Sequence, residues 1–197
     1  TSNPYLARDG ERRGGTVGFA LPGVGLRIVG PAGEPVAAGA VGSVEVTGPN
    51  VFSGYWRQPE KTREEFTADG WFRTGDVGVV DEQGRLRIVG RSKDLVISGG
   101  YNVYPAEVEG VLDALPGVAE SAVVGVPHDD FGEAVVAAVV ARTGVSLDVA
   151  AMTSALKTKI AGFKVPKAIF VVDELPRNAM GKVQKNVLRE RHRALFA

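Results

Sequence analysis

Lys182 closes the stretch Pro176-Arg177-Asn178-Ala179-Met180-Gly181-Lys182 and is followed by Val183-Gln184-Lys185. Gly181 permits a tight loop there, and the lysine projects from it. A lysine on an ordered loop is a compact positive charge with three donors, able to bridge a carboxylate and a phosphate. A Gly-Lys pair alone reads more readily as a solvated lysine beside a helix start. The flanking Pro-Arg-Asn and Val-Gln-Lys are what single this one out. It is no Walker loop, because Pro176 and not glycine stands five residues before Gly181.

Two further clusters carry usable chemistry. In Trp71-Phe72-Arg73-Thr74-Gly75-Asp76 a carboxylate sits beside a glycine turn. Such a carboxylate can accept from both hydroxyls of a ribose, or can open the next strand as an Asx turn. Gly90-Arg91-Ser92-Lys93-Asp94 reads as a hinge or as a hairpin end. Soon after it, Ser98-Gly99-Gly100 offers a backbone that passes close to a ligand, or a surface turn. His128-Asp129-Asp130 reads as a surface loop. His128 and His192 are the only histidines and no third ligand stands at suitable spacing, so no metal site is assigned. Tyr55, Trp56 and Trp71 read as packing residues. Lys157, Lys159, Lys164 and Lys167 form either a solvated face or a contact for nucleotide phosphates.

The elements that must position these residues differ between the two halves. Up to about Gly90 the chain is β-rich. Val24–Val29 and Val44–Thr47 are short β-branched runs bounded by glycine and proline, and Asp81-Glu82-Gln83-Gly84 turns Val77–Val80 back onto Leu86–Val89. Pro59 opens one helix, Glu60–Phe66. From about Arg91–Asp94 onward strands and helices alternate. The order is a strand at Leu95–Ile97, a helix opened by Pro105, apolar strands at Ala122–Val126 and Val135–Val140, a helix capped by Ser146 and running to Ile160, a strand at Ala168–Val172, and a basic helix from Gln184 to Leu195.

Composition narrows the partners. Lysine plus arginine equals aspartate plus glutamate, 23 each, so net charge gives no reason to expect nucleic acid or an anionic membrane. Local basic clusters can still bind a small anion. No cysteine is present, which excludes disulfides, thiolate metal sites and a cysteine nucleophile, and fits a reducing, cytoplasmic setting. No apolar run approaches the roughly 20 residues of a membrane helix. Thr1-Ser2-Asn3-Pro4-Tyr5 lacks the features of a signal peptide and has no initiator methionine, so the chain reads as cut from something longer.

Taken in order, four elements resemble the later motifs of the adenylate-forming superfamily of acyl-CoA synthetases, peptide-synthetase adenylation domains and luciferases. They are Gly42-Ser43-Val44-Glu45-Val46-Thr47-Gly48-Pro49 continuing to Tyr55, Arg73-Thr74-Gly75-Asp76, Gly90-Arg91 with Gly99-Gly100, and Pro176-Arg177 with Gly181-Lys182. Gly54-Tyr55-Trp56-Arg57-Gln58-Pro59-Glu60-Lys61-Thr62 and Ser98-Gly99-Gly100-Tyr101-Asn102-Val103-Tyr104-Pro105 look most like malonyl-CoA synthetases. The resemblance implies an α+β fold. A β-rich, distorted barrel-like subdomain of the AMP-binding domain would cover residues 1–91, and a small mixed α+β lid, mobile in the family, would cover residues 92–197. It implies a reaction in which a carboxylate, malonate-like here, attacks ATP to give an acyl-adenylate and pyrophosphate, after which CoA displaces AMP. Lys182 would then sit between carboxylate and α-phosphate, Asp76 and Arg91 at the ribose, Lys93 at the hinge, and Ser98, Gly99 and Gly100 along the pantetheine tunnel of CoA. The family's phosphate loop and its magnesium-binding Thr-Glu motif are expected upstream of Thr1, so this piece alone is expected to be inactive. Two other readings stay open: a lid that acts as a protein-binding module acetylated at Lys182 by a lysine acetyltransferase, and a subunit completed by a second chain.

Overall fold

Turn chemistry between β-branched runs sets the first half of the molecule. The computed structural model describes residues 1–4 and 11–196; Tyr5, at the end of the opening stretch, lies outside them. The described chain divides into two compact units, Thr1–Lys93 and Asp94–Ala197. In the first, β1 (Gly25–Val29), β2 (Val41–Thr47), β3 (Phe72–Val80) and β4 (Leu86–Arg91) form an antiparallel meander in sequence order. Asp81 closes the β3–β4 hairpin: its Oδ1 accepts from the N–H of Gln83 at 3.1 Å and of Arg85 at 2.8 Å. Ile28, Val44 and Leu86 are the buried core of this sheet. The sheet is open: among the described residues its order runs β1-β2-β3-β4 without closing on itself.

Between β2 and β3 lies a short helix, α1 (Pro59–Glu65). Phe52 meets Tyr55, Phe66 and Phe72 edge-on, with centroids 5.0, 5.6 and 5.1 Å apart, and these rings hold the excursion to the sheet. Trp71 packs under the Arg27 guanidinium, 4.4 Å from the ring. Trp56 does not pack as expected; it is 83% exposed.

The second unit is a mixed sheet with both faces covered. It contains β5 (Val96–Ser98), β6 (Tyr101–Val103), α2 (Pro105–Asp113), β7 (Val118–His128), β8 (Gly132–Ala141), α3 (Val149–Lys159), β9 (Ala168–Val172) and α4 (Lys185–Arg191). β7 flanks one edge of β8; β5 and β9 share the other, β9 running parallel. Side chains alternate along the two long strands. Val123, Val135, Ala137 and Val139 pack with Val108, Leu112, Met152 and Leu156, while Ala122, Val124, Val126, Ala134, Val136 and Ala138 pack with Leu175 and Leu188. Burial on both faces is why β7 and β8 read as continuous apolar runs.

The expected elements are all present, with altered limits. The cap of α3 is Asp148, not Ser146: its carboxylate accepts from the N–H of Ala150 and Ala151. The strand expected at Leu95–Ile97 is Val96–Ser98, and the last helix is Lys185–Arg191 and not Gln184–Leu195. No helix among the described residues is long and apolar enough to cross a membrane.

At the end of α4, His192 stacks on Phe170 with centroids 4.2 Å apart, and its Nε2 is buried with no partner among the described residues. Burial holds this imidazole below its ordinary range, with a smaller push from Arg191. The unfolded chain therefore takes up the proton first. The stability linked to His192 is present above the ordinary imidazole value of about 6.5 and is lost as pH falls through it. His192→Phe, which keeps the stack, is expected to flatten the decline in melting temperature between about pH 7.5 and pH 5.5. Thermal melts of the two proteins across that range check this; an unchanged slope contradicts it.

Candidate functional site

Lys182 is held at its backbone and left alone at its tip. An antiparallel bridge joins Arg177 to Val183, and between them Asn178 N–H donates to the Lys182 carbonyl at 2.9 Å. Asn178 Oδ1 accepts from the N–H of Met180 at 3.0 Å and of Lys182 at 2.9 Å, so one side chain closes the turn from inside. Gly181 adopts φ 77, the left-handed conformation the turn needs. Arg177 Nη1 donates to the Gly181 carbonyl at 2.6 Å, and its Nη2 is ion-paired with Glu120 on β7. The loop is thus braced to the sheet while the exposed Lys182 ammonium meets no acceptor among the described residues.

The helix after the loop is tied down as firmly. Lys185 Nζ lies 2.7 Å from Glu109 Oε1, the oxygen that also accepts from Val123 N–H. Arg189 Nη2 lies 2.7 Å from Asp94 Oδ1, joining α4 to the first residue of its unit. Glu109, Glu120 and the Asp94–Arg189 pair were missed by sequence reasoning. Their partners lie 57 to 95 residues away in Glu120 and Asp94, and an isolated acidic residue carries no sign of such a partner.

In the first unit, Asp76 and Arg91 are register partners on β3 and β4. Arg91 Nε lies 2.8 Å from Asp76 Oδ1, and Arg91 Nη1 donates to the Thr74 carbonyl at 3.4 Å. Thr74 Oγ1 accepts from Asp76 N–H at 3.1 Å and donates to the Val44 carbonyl at 3.0 Å, fixing the turn at Gly75. Asp76 therefore spends Oδ1 on Arg91, and its Oδ2 meets no donor among the described residues. Arg91, Thr74, Gly75 and Lys93 line a cavity of about 750 Å³ together with Glu45 and Arg73; Asp76 stands beside it, off its wall. Glu45, 3% exposed, is fixed there by Arg27 Nε at 2.7 Å and Arg73 Nε at 3.6 Å.

Lys93 sits in the short 3-10 turn Ser92–Asp94, where the two units divide. Ser98 is buried at the end of β5. Gly99 and Gly100 form the two-residue loop of the β5–β6 hairpin, with Ser98 opposite Tyr101 and φ values of 58 and 81. Two consecutive left-handed residues are the signature of a hairpin turn that favours glycine. A Cβ on Gly99 would meet Phe131 at 3.3 Å, whereas one on Gly100 would meet nothing within 4 Å. The described residues contain no group of three or more His, Asp or Glu placed to hold a metal ion. Lys164 is bound by Glu107 at 2.6 Å, and Lys167 lies over the Phe131 ring at 4.5 Å.

Comparison with known proteins agrees in order along the chain. Residues 2–56 match the family described as AMP-binding enzyme, and residues 107–182 match the AMP-binding enzyme C-terminal domain. The chain is 46% identical over 182 residues to an indoleacetate–CoA ligase of Aromatoleum aromaticum, covering 92% of this chain and 36% of that protein. It is 47% identical over 166 residues to a feruloyl-CoA synthase of an Amycolatopsis species, covering 84% of this chain and 34% of that one. The crystal structure of ATP-bound MatB from Rhodopseudomonas palustris aligns over all of this chain and 39% of its own, with 56% identity and a TM-score of 0.94. The chain thus spans about a third of the length of these relatives.

The bracing of the loop yields a direct test. Asn178→Ala removes the acceptor of two N–H groups, each bond worth about 0.5–1.5 kcal/mol net. Amide exchange at Met180 and Lys182 is expected to speed up by roughly three- to tenfold, while Asn178→Asp, which keeps the acceptor, is expected to stay near the parent. Site-resolved hydrogen exchange checks this, and equal rates in parent and Asn178→Ala count against the inward-facing asparagine as the brace.

Proposed function

The chain belongs to the AMP-binding enzyme family of adenylate-forming acyl-CoA synthetases, and from that premise we propose that it is the C-terminal portion of an ATP-dependent, AMP-forming acyl-CoA synthetase. The observation that carries this reading is Lys182: an ammonium with no acceptor among the described residues, on a loop braced by Asn178 and Arg177. The first half-reaction brings a carboxylate against the α-phosphate of ATP, and the two anions repel. Lys182 lies between them and stabilises the charge that builds as the carboxylate oxygen bonds to phosphorus and pyrophosphate leaves. At about 4 Å and an effective dielectric near 20, one such charge pair is worth roughly 4 kcal/mol, or about a thousandfold in rate. Asp76 Oδ2 accepts from the ribose hydroxyls, with Arg91 fixing the carboxylate from the other side. ATP brings its magnesium; no residue of this chain is assigned to the metal.

In the second half-reaction the CoA thiol attacks the acyl carbon and AMP departs. Rotation about Lys93 would withdraw Lys182 and bring the Ser98–Gly100 turn to the pantetheine arm of CoA. We assign residues 1–91 to the AMP-binding domain and residues 92–197 to its mobile lid. The acyl substrate we propose is malonate or methylmalonate. This rests on the resemblance of the Gly54–Thr62 and Ser98–Pro105 stretches to malonyl-CoA synthetases, beside the 56% identity to MatB over the full chain. The relatives that act on indoleacetate and ferulate show how widely the acid varies at similar identity. One observation favours regulation at the same residue: the exposed, unpaired Lys182 is open to a lysine acetyltransferase, and acetylation would remove the bridging charge. Incubation with acetyl-CoA and such an enzyme should add one acetyl group to the peptide bearing Lys182; an unmodified peptide rules this out.

Pyrophosphate exchange by the full-length protein tests the reaction and the substrate together. Exchange driven by malonate or methylmalonate, and weaker with indoleacetate or ferulate, is the expected result. Exchange with the aromatic acids alone overturns the malonate assignment, and none with any carboxylate overturns the ligase. Gly100→Leu is expected to stop thioester formation while exchange continues. Gly100→Asn tolerates the left-handed turn and separates bulk from strain. Loss of exchange in Gly100→Leu would contradict the tunnel role.

A further inference from the structure

Away from the residues assigned above, three arginines of the first unit converge on a second cavity. Arg13, Arg85 and Arg87 line a space of about 410 Å³ together with Gly15, Thr16 and Asp81. Among the described residues lining it, Asp81 is the one carboxylate, and it lies near two of the three arginines, Arg13 and Arg85. That carboxylate does not satisfy them. Asp81 Oδ1 is occupied by the N–H groups of the β3–β4 turn, and Oδ2 lies 3.8 Å from Arg13 Nη1 and 3.6 Å from Arg85 Nη1, too far for hydrogen bonds. The Arg85 guanidinium lies 5.4 Å from the Phe19 ring; among the described residues its one hydrogen-bond acceptor is Gln83 Oε1, at 3.5 Å, and its Nε is buried with none. At the other cavity, by contrast, Arg91 meets Asp76 at 2.8 Å. A buried charged donor left unpaired costs on the order of 1–3 kcal/mol, which applies to Arg85 Nε; with the exposed Arg13 and Arg87 beside it, the cluster can take an anion with several acceptor oxygens.

Asp81 selects among such anions. Its Oδ2 lies within ion-pair distance of Arg13 and Arg85 without accepting a hydrogen bond among the described residues, and a fully deprotonated oxyanion on those arginines would sit beside it uncompensated. An oxyanion that still carries one proton can donate that proton to Oδ2 while its other oxygens accept from the arginines.

We propose that this cavity binds monohydrogen phosphate, its oxygens on Arg13, Arg85 and Arg87 and its hydroxyl donating to Asp81. Sulfate has the same charge and shape without the donor. A phosphomonoester such as AMP has also lost its last acidic proton by about pH 8, its second pKa being about 6. The two comparisons therefore separate free phosphate from a nucleotide phosphate and from simple charge attraction.

Calorimetric titration of the 197-residue chain with inorganic phosphate at low ionic strength tests this. Saturable binding with a Kd of about 1 mM or tighter is expected, with sulfate and AMP at least about tenfold weaker at pH ~8. Arg13→Gln and Arg87→Gln, both at exposed positions, should each weaken phosphate by about tenfold with an unchanged melting temperature. Asp81→Asn keeps the turn acceptor and should erase the preference for phosphate over sulfate. Absence of saturable phosphate binding, equal affinity for sulfate, or arginine variants that bind like the parent overturns the site.

Discussion

The organising constraint is that a cation must be fixed in space without being neutralised. An ammonium satisfied by a carboxylate is well placed but spent; one on a free loop is available but nowhere in particular. The fold resolves this by fastening the backbone around Lys182 and nothing else. Asn178 fills the turn, Arg177 holds the Gly181 carbonyl, and Glu120 anchors Arg177 to β7. Three residues further on, Lys185 shows the alternative, bound to Glu109 and committed to structure. The two lysines differ in what their neighbours do, not in their chemistry.

The same division of labour recurs at Asp76 and Arg91, the proposed nucleotide contacts. Arg91 and Asp76 hold one another across β3 and β4, so the carboxylate is oriented before any ligand arrives and still retains an oxygen. Pre-set donors and acceptors need little rearrangement when charge develops, which is where electrostatic stabilisation is most effective. Gly99 and Gly100 combine two demands. The hairpin requires left-handed residues there, and the proposed passage of pantetheine requires no side chain. A glycine pair meets both, so its presence alone does not distinguish them.

Local signals were legible in the sequence and long-range ones were not. Asp81-Glu82-Gln83-Gly84 announces its turn because the side chain bonds the backbone two and four residues on. Pro105 opens α2 for the reason that proline favours a first helical turn. Lys182 stood out because Gly181 and the flanking residues sit beside it in the chain. The helix cap was misplaced because Ser146 and Asp148 are both good caps, and only the path of the backbone decides between them. The full lengths of β7 and β8 were hidden by Glu120, Pro127 and Glu133, which local propensity rejects and cross-strand pairing tolerates. Glu120 and Asp94 owe their roles to Arg177 and Arg189, which no spacing rule connects to them. Trp56 read as a packing residue by type and lies open to solvent.

The Lys182 charge is needed in one half-reaction and not in the other. Single-turnover kinetics of Lys182→Ala in the full-length protein separate its two half-reactions. Acyl-adenylate formation from the acid and ATP should fall by about a thousandfold, while transfer from the supplied acyl-adenylate to CoA should proceed at the parental rate. Adenylate formation at the parental rate, or equal loss of both steps, would contradict the claim that this one ammonium serves the first step and leaves the second to other residues.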